Sequence, residues 1–228
     1  MSSISKYQKK KFLINNAFKK FINSSIPPLL FTDVEIKLIS NPFHCKWRNR
    51  WLVSTQDIHH ICDAYACIGA DTIQFMAFKP NAIINAIQIT ESNNNLLNSR
   101  FQRLVINIKN TYHLNPNVSL FDSSISDFIL NHYSPSIDFL YCDPPWTDSN
   151  DNFFDSSTLI SNLYNDIFIH LISNNYSPKY ICFKVPFNWD EFNSILNHLP
   201  NYIHNSSGEF FYNKYWFHII CINSFDSD

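Results

Sequence analysis

The chain has 228 residues, of which 45% are hydrophobic and 16% aromatic, and its net charge is −2 at pH 7. This composition excludes a disordered chain, and the length suits one α/β domain plus an N-terminal extension. We expect neither a membrane helix nor a signal peptide, because no apolar run approaches roughly 18 residues. Six cysteines without Cys-x-x-Cys spacing predict reduced thiols in the cytoplasm or nucleus, and no metal site.

Positive charge is concentrated at the N-terminus. Residues 1–50 contain ten basic and two acidic residues, a net charge of +8, and the remainder carries −10. The apolar pairs Phe12-Leu13, Ala17-Phe18 and Phe21-Ile22 recur at near-helical spacing and predict a helix that docks by this face. We therefore predict a basic, mainly helical extension over 1–46 whose lysines contact RNA phosphates, followed by an α/β domain over 47–228. A helix whose lysines only face solvent is the alternative.

Cations and indole rings alternate at the start of the α/β domain, in Lys46-Trp47-Arg48-Asn49-Arg50-Trp51. Indoles stack on bases, and lysine or arginine pairs with phosphates. We expect the substrate to be contacted here by Lys46, Arg48, Arg50 and Trp51.

The next segment predicts a cofactor loop. A short apolar strand ends at Asp63, and a helix begins near Asp71 and Thr72. In doubly wound α/β folds the first strand-to-helix loop is where a nucleotide-like cofactor contacts backbone N–H groups. With Gly69 as its one glycine, the loop is neither a Walker phosphate loop nor a three-glycine dinucleotide fingerprint. A single close-approach glycine fits S-adenosylmethionine, which has no phosphate.

Strands and helices then alternate, which predicts a mostly parallel sheet with helices on both faces. Further strands are predicted over 82–89, 117–121, 137–142 and 179–185, helices over 93–112, 155–172 and 189–199, and a closing hairpin over 202–203 and 216–222. Such a hairpin marks methyltransferases off from dehydrogenases. The prediction is therefore a Rossmann-like, seven-stranded sheet whose last strand is antiparallel.

Polar residues follow the second and third strands. No acidic residue stands at the usual place at the end of the second strand, so Gln88 or Glu91 would bond the cofactor ribose. Asp122, after the third strand, would accept from the cofactor adenine N6, or alternatively cap the helix that starts after Ser123.

The fourth strand leads directly into Asp143-Pro144-Pro145-Trp146. An exocyclic amine of a nucleobase is a poor nucleophile, because its lone pair is delocalised into the ring. The Asp143 carboxylate and the Pro144 carbonyl can accept hydrogen bonds from such an amine, and the prolines make the loop stiff. Trp146 offers a face for base stacking. The motif predicts methylation of a base amine, with a plain Pro-Pro turn beside a core tryptophan as the alternative.

Lys184 lies inside the apolar fifth strand. Together with Asp143, a lysine in this place is similar to that of ribose 2′-O methyltransferases, in which it activates a hydroxyl. A phosphate contact, or a side chain that snorkels to solvent, is the other interpretation.

The two motifs together resemble the trimethylguanosine synthase family, which methylates guanine N2 in RNA caps. That family carries Asp-Ala-Phe-x-x-x-Gly-Gly-Asn-Thr-Ile-Gln-Phe, and residues 63–75 follow it with small changes. The segment 51–56 is similar to the family's aromatic lead-in, and its Ser-Pro-Pro-Trp corresponds to 143–146. The resemblance covers roughly residues 47–221.

The resemblance implies a class I methyltransferase that uses S-adenosyl-L-methionine and acts on the 7-methylguanosine cap of RNA. The expected catalytic residues are Asp143, Pro144 and Trp146. Substrate contacts are expected from Trp146, Lys184 and the four residues of 46–51 named above. The expected cofactor-binding residues are Asp63, Tyr65, Gly69, Asp71, Thr72, Gln88 and Asp122.

Three departures from the family keep other functions open. Asp143 replaces the family's Ser, as in the Asp-Pro-Pro-Trp of adenine-N6 methyltransferases, and Thr147-Asp148-Ser149-Asn150 follows where the family has Gly-Gly. The alternatives are adenine-N6 or guanine-N2 methylation at internal sites of DNA or RNA, and ribose 2′-O methylation. A further alternative is a catalytically silent methyltransferase fold that binds RNA, which the missing ribose carboxylate favours.

Overall fold

The structure is a computed structural model, and it describes most of the chain. The described residues are 6–22, 26–33, 35, 39–43, 45–90, 95–132, 136–145, 156–174, 176, 178–186, 205–212 and 215–221. Trp146, Glu91 and the predicted helix over 189–199 lie outside them. None of the helices in this part of the chain is long and apolar enough to cross a membrane.

Seven α-helices and seven strands follow one another along the described chain. The helices are α1 (Lys6–Ile22), α2 (Lys46–Ser54), α3 (Ala70–Phe78), α4 (Asn95–Thr111), α5 (Ile125–Asn131), α6 (Ser156–Leu163) and α7 (Ile169–Ser173), the last two joined by a π-helical turn (Tyr164–Phe168). The strands are β1 (His60–Asp63), β2 (Ile83–Ile87), β3 (Val118–Phe121), β4 (Phe139–Cys142), β5 (Tyr180–Pro186), β6 (Asn205–Tyr212) and β7 (Tyr215–Cys221).

The sheet order is β3-β2-β1-β4-β5-β7-β6. Strands β1 to β5 are parallel, and β1 lies between β2 and β4. Strand β7 pairs antiparallel with β5, and β6 pairs antiparallel with β7. The predicted Rossmann-like α/β fold is confirmed over the five parallel strands. The predicted hairpin arm at 202–203 lies outside the described residues, and β6 begins after it, at Asn205.

Alternate side chains of the central strands point to opposite faces of the sheet, as strand geometry requires. Ile61, Phe139 and Tyr141 belong to one buried cluster, together with residues of α1, α3 and α4. Cys62 and Leu140 belong to a second cluster, with α5 and the segment from α6 to α7. Both faces of the sheet are therefore covered, which explains why these strands are continuously apolar.

The N-terminal extension packs into the first of these clusters. Phe18, Leu29, Phe31 and Cys45 are all buried there beside residues of β1 and α3. The stripe of α1 that docks contains Ile14, Ala17 and Phe18. Phe12 and Leu13, which the sequence placed on this face, are 66% and 65% exposed, so that part of the prediction is wrong. The reason is helical phase, because positions 14, 17 and 18 share a face that 12 and 13 do not.

Polar contacts also fix the extension to α4. The buried Glu35 carboxylate accepts from Arg103 Nη2 at 2.5 Å and lies 3.5 Å from Arg100 Nε. The Asn107 side chain bonds both the N–H and the carbonyl of Leu30, at 2.8 and 3.1 Å. The extension and the sheet thus share one core.

Candidate active site at the carboxyl edge of the sheet

Two predicted site residues lie at the ends of neighbouring parallel strands. Asp63 is the last residue of β1 and pairs in register with Tyr141 of β4, two residues before Asp143. The loop after β1 is held between its neighbours, because Ala64 N–H donates to the Tyr141 carbonyl at 2.9 Å and Ala66 N–H to the Ile87 carbonyl at 2.8 Å. The predicted cofactor loop and the predicted amine motif therefore meet at one edge of the sheet.

Asp63 has an unusual environment for a carboxylate. It is fully buried, and its Oδ2 accepts a hydrogen bond from Thr72 Oγ1 at 2.6 Å. Its Oδ1 has no hydrogen-bond partner among the described residues. Burial, reinforced by the nearby Asp71 charge, raises the pKa of Asp63 to about 7. A buried acceptor without a donor is costly, so this oxygen suits a ligand that donates a hydrogen bond.

Gly69 precedes α3 with a left-handed backbone, φ +90°. A Cβ at this position would lie 2.9 Å from Leu104 Cδ1 and 3.2 Å from Ile108 Cδ1. The absent side chain therefore makes room for helix α4. Both the backbone conformation and this contact require glycine here.

Arg48 pairs with Asp71 in the interior of the protein. The Arg48 guanidinium donates to Asp71 Oδ1, and its Cζ lies 4.7 Å from the ring centre of Phe75 and 4.8 Å from that of Tyr141. Arg48 has no exposed surface, so a contact with RNA is not open to it and that prediction is corrected. A guanidinium is weakly hydrated and stacks on aromatic rings, which makes arginine the cation best suited to such a place.

Two amide side chains complete the shell around Arg48. Its Nη2 donates to Asn49 Oδ1 at 2.9 Å and to Gln74 Oε1 at 3.2 Å, and Asn49 Nδ2 donates to Gln74 Oε1 at 2.8 Å. Gln74 Nε2 in turn donates to the Ser40 carbonyl at 3.0 Å. Burial by itself raises the pKa of Asp71, but Arg48, Lys184 and Ser40 together bring it below its usual value.

Lys184 connects this buried pair to Asp143. It is only 4% exposed, and its ammonium donates to the Asp143 carboxylate and, at 2.9 Å, to Ser40 Oγ. The Ser40 hydroxyl donates to Asp71 Oδ2. A lysine buried among these partners does not snorkel to solvent, and it holds the carboxylate of the predicted amine motif.

The remaining predicted substrate residues of α2 are divided between surface and core. Lys46 and Arg50 are exposed, and the Arg50 guanidinium lies 5.3 Å from the ring centre of Trp47, which is 44% exposed. Trp51 is half-buried and packs edge-on against Tyr180, at a ring-centre distance of 5.2 Å. The exposed cations are Lys46 and Arg50, the exposed indole is that of Trp47, and Trp51 faces the sheet.

The other predicted cofactor residues lie at the same edge. Gln88 follows β2, and its side chain donates to the Ile89 carbonyl at 3.0 Å. The carboxylate of Asp122, after β3, accepts from the Thr90 N–H at 2.7 Å and from the Thr90 hydroxyl. Tyr65 is half-buried in the second cluster, and burial raises its pKa. Ser124, rather than Asp122, caps α5, since its hydroxyl accepts from Asp127 N–H at 3.0 Å.

Sequence reasoning missed Ser40 and the partner of Arg48. Ser40 lies in an irregular segment with no periodicity or motif, so the sequence held no signal for it. The sequence did contain a signal for the Arg48 partner, because Asp71 stands where the trimethylguanosine synthase family has Asn. A carboxylate introduced into an apolar helix start needs a cation nearby.

No protein-family model matches the chain, and no curated protein matches it. Solved structures do match. The N-terminal domain of human METTL16 in complex with SAH has a TM-score of 0.62 at 10% identity, over 96% of this chain and 84% of that one. The hMettl16 catalytic domain in complex with MAT2A 3′UTR hairpin 6 has a TM-score of 0.61 at 11% identity, over 97% and 84%.

A third structure, of a human methyltransferase 10 domain containing protein, matches with a TM-score of 0.57 at 12% identity, over 94% of this chain and 97% of that one. At such identities the likeness concerns the fold alone. The chain has the Rossmann-like fold of methyltransferase domains.

Proposed function

We propose that the protein is an S-adenosylmethionine-dependent methyltransferase that acts on an exocyclic amine of a nucleobase in RNA. The observation that carries the proposal is the placement of Asp63 and Asp143 at the ends of adjacent parallel strands. Ligands of open α/β sheets bind in the crevice outside the carboxyl ends of the strands. A cofactor beside β1 and a base beside β4 would therefore meet.

The residues present fit this cofactor. Asp63 Oδ1 is a buried acceptor in need of a donor, and S-adenosylmethionine offers donors in its ammonium, ribose hydroxyls and adenine amine. Gln88, Tyr65 and Asp122 line the same edge and would hold the rest of it. When bound, the cofactor supplies an electrophilic methyl group on a sulfonium. The METTL16 structure with SAH supports this choice.

Asp143 and Pro144 would prepare the amine. The Asp143 carboxylate and the Pro144 carbonyl each accept one amine hydrogen, which turns the nitrogen lone pair out of conjugation with the ring. A carboxylate has about four lone-pair sites, so Asp143 can accept from the amine and from Lys184 together. Lys184 keeps the carboxylate in place. The transfer is direct, so the protein contributes mainly orientation and exclusion of water.

RNA is the proposed substrate for two reasons. The solved methyltransferase structure that contains a 3′UTR hairpin supports a nucleic-acid substrate for this fold. Lysines at 9, 10, 19 and 20 are exposed on α1, and Lys46 and Arg50 are exposed on α2. This distribution of cations suits a phosphate backbone.

Guanine N2 of a 7-methylguanosine cap is the base we propose, on the similarity of residues 63–75 and 143–146 to the trimethylguanosine synthase motifs. Trp146 would stack on the base, and a cationic cap guanine would add a cation–π contribution of about 0.5–2 kcal/mol. Adenine N6 is the second candidate base, because Asp143 stands where the trimethylguanosine synthase motif has serine, as in the Asp-Pro-Pro-Trp of adenine-N6 methyltransferases. The Lys184–Asp143 ion pair also favours ribose 2′-O methylation as a second candidate reaction.

The test is a transfer assay with methyl-labelled S-adenosylmethionine. The purified protein is incubated in parallel with capped RNA, uncapped RNA, DNA and free 7-methylguanosine nucleotides, and the products are digested to nucleosides. Label in N2-methylated 7-methylguanosine supports the proposal. Label in N6-methyladenosine or 2′-O-methylated nucleosides would replace the proposed acceptor, and no label in any substrate would leave an RNA-binding subunit.

A further inference from the structure

One buried chain of side chains connects the N-terminal extension to the amine motif. In order, it contains Arg48, Asp71, Ser40, Lys184 and Asp143. The side chains alternate between cation and anion on either side of the Ser40 hydroxyl. Ser40, Asp71 and Lys184 are 3%, 7% and 4% exposed, so water does not substitute for their mutual contacts.

The direction of every hydrogen bond in this chain is fixed by chemistry. An ammonium only donates and an ionised carboxylate only accepts, so Lys184 must donate to Ser40 Oγ and the Ser40 hydroxyl must donate to Asp71. Asp71 stays ionised because Arg48, Lys184 and Ser40 hold its pKa below the usual value despite burial. The Ser40 hydroxyl therefore accepts from Lys184 and donates to Asp71, and these two bonds fix its orientation.

Ser40 also separates two carboxylates that compete for one ammonium. Lys184 contacts Asp143 directly and reaches Asp71 through the Ser40 hydroxyl. A direct ion pair is stronger than a contact through a neutral hydroxyl. Without the hydroxyl, Asp71 Oδ2 loses its donor, and the Lys184 ammonium can then move to pair with that oxygen directly, away from Asp143.

We propose that Ser40 is a positioning residue for the reaction, because its hydroxyl keeps Lys184 on Asp143 and away from Asp71. This inference rests on the proposed function, in which Asp143 orients the acceptor amine. Ser40 lies before the predicted boundary at residues 46/47, so the extension contributes a positioning residue to the catalytic centre, apart from the lysines proposed to contact RNA phosphates. The part of the chain that carries the methyltransferase motifs is incomplete without it.

The test compares Ser40→Ala with Ser40→Thr and with Ser124→Ala. Thr keeps the hydroxyl, and Ser124→Ala removes a hydroxyl whose role is to cap α5. We expect Ser40→Ala to lower kcat by about 10- to 100-fold, because a misplacement of about 1 Å at a reacting group can cost 10²-fold. The Kd of S-adenosylhomocysteine and the KM of the RNA should change by less than about threefold. Ser40→Thr should recover most of kcat, and Ser124→Ala should leave kcat unchanged.

A crystal structure of Ser40→Ala gives a readout that does not depend on activity. We expect Lys184 Nζ to lie closer to Asp71 and outside hydrogen-bond distance of Asp143. If the alanine variant does not fold, Ser40→Cys keeps the shape with a weaker donor and acceptor, and the same split between kcat and KM is expected.

Three outcomes would overturn the inference. They are an unchanged kcat in Ser40→Ala, an equal loss in Ser124→Ala, and a Lys184–Asp143 contact that survives in the crystal structure of the variant. A wild-type protein that transfers no methyl group would instead overturn the proposed function. In that case the crystal structure still decides whether Ser40 positions Lys184.

Discussion

A carboxylate is buried at each edge of the parallel sheet, and the two carboxylates differ in how many hydrogen-bond donors surround them. At the amino edge, Asp138 Oδ2 accepts from the N–H groups of His59 and His60 at 2.8 and 3.0 Å, and its Oδ1 lies 2.9 Å from Lys179 Nζ. At the carboxyl edge, Asp63 has one donor, Thr72, and one oxygen without a partner in the described part of the chain.

The pKa directions follow from these partners. Burial raises the pKa of Asp138, but the Lys179 ammonium and the two backbone donors bring it below its usual value. Burial raises the pKa of Asp63 to about 7, and the single Thr72 bond does not offset it. A fully partnered carboxylate stabilises the fold, whereas one left short of donors costs stability until a ligand provides them. Asp138 therefore has a structural role, and Asp63 is the functional candidate.

The largest expected effect concerns the cations at the two edges. Arg48→Met leaves Asp71 buried without its cation, and we expect a loss of about 3–5 kcal/mol in the free energy of unfolding. Lys179 is about half exposed, so Lys179→Met should cost at most about 1 kcal/mol. Urea denaturation of both variants measures the difference. Arg50→Met, on the exposed side of the same helix, is the control for the loss of charge. Equal losses of unfolding free energy in all three variants would mean that the buried Arg48–Asp71 pair contributes no more to stability than an exposed charge does.

The next effect concerns catalysis. Asp143→Ala removes the amine acceptor and should lower kcat by on the order of 10²-fold or more, whereas Asp143→Asn keeps a side-chain acceptor and should retain appreciable activity. Asp138→Asn, at the other edge, should leave kcat unchanged. Labelled methyl transfer at saturating RNA measures all three. If Asp143→Asn is as inactive as Asp143→Ala and Lys184→Met is inactive too, the carboxylate charge is essential, and ribose 2′-O methylation becomes the better account.

Stability should depend on pH in opposite directions at the two carboxylates. The folded protein holds the Asp63 proton more firmly than the unfolded chain does, so the Asp63 contribution to the free energy of unfolding falls as pH rises from about 4 to 7. The pKa of Asp138 is lowered, so its contribution is present above about pH 4 and is lost as pH falls through the folded-state pKa.

Denaturation curves between pH 3 and 8, without ligand, check this pair of signs. Asp63→Asn should remove the decline between about pH 4 and 7, and Asp138→Asn should remove the loss at acid pH. If the free energy of unfolding of the wild-type protein does not decline above pH 4, and Asp63→Asn does not change its pH dependence, Asp63 has an ordinary pKa.

The smallest expected effect concerns RNA binding by the lysines of α1. Replacing Lys9, Lys10, Lys19 and Lys20 with Gln should reduce the slope of log K against log salt by roughly 0.7–0.9 for each phosphate that a lysine no longer neutralises. Charge replacement is preferable to deletion of the extension, because Leu29, Phe31 and Ser40 are buried in the protein. Turnover of a small free nucleotide should persist. An unchanged slope would mean that these lysines only face solvent.

The sequence predicted the parallel strands and the strand ends at Asp63 and before Asp143, since apolar runs and strand ends depend on local pattern, whereas the fold showed that these two strands are neighbours. It did not predict that Arg48 is buried, because alternating cationic and indole residues form the same sequence pattern on a surface and in a core. It gave no indication of Ser40, whose role depends on Lys184, a residue 144 positions away. Irregular segments have no sequence periodicity, so contacts between distant ones are seen only in the folded structure.

Calorimetric titration with S-adenosylhomocysteine tests most directly the claim that the carboxyl edge is a cofactor site. We expect one molecule to bind and to raise the melting temperature, because ligand at 100 times its Kd stabilises the folded state by about 2.7 kcal/mol. Asp63→Asn should weaken this binding by about tenfold or more, because a neutral amide oxygen is a weaker acceptor than a carboxylate and the amide NH2 group cannot accept, and Asp138→Asn should leave it unchanged. The absence of any binding to the wild-type protein at millimolar ligand would contradict the account and leave an RNA-binding scaffold in its place.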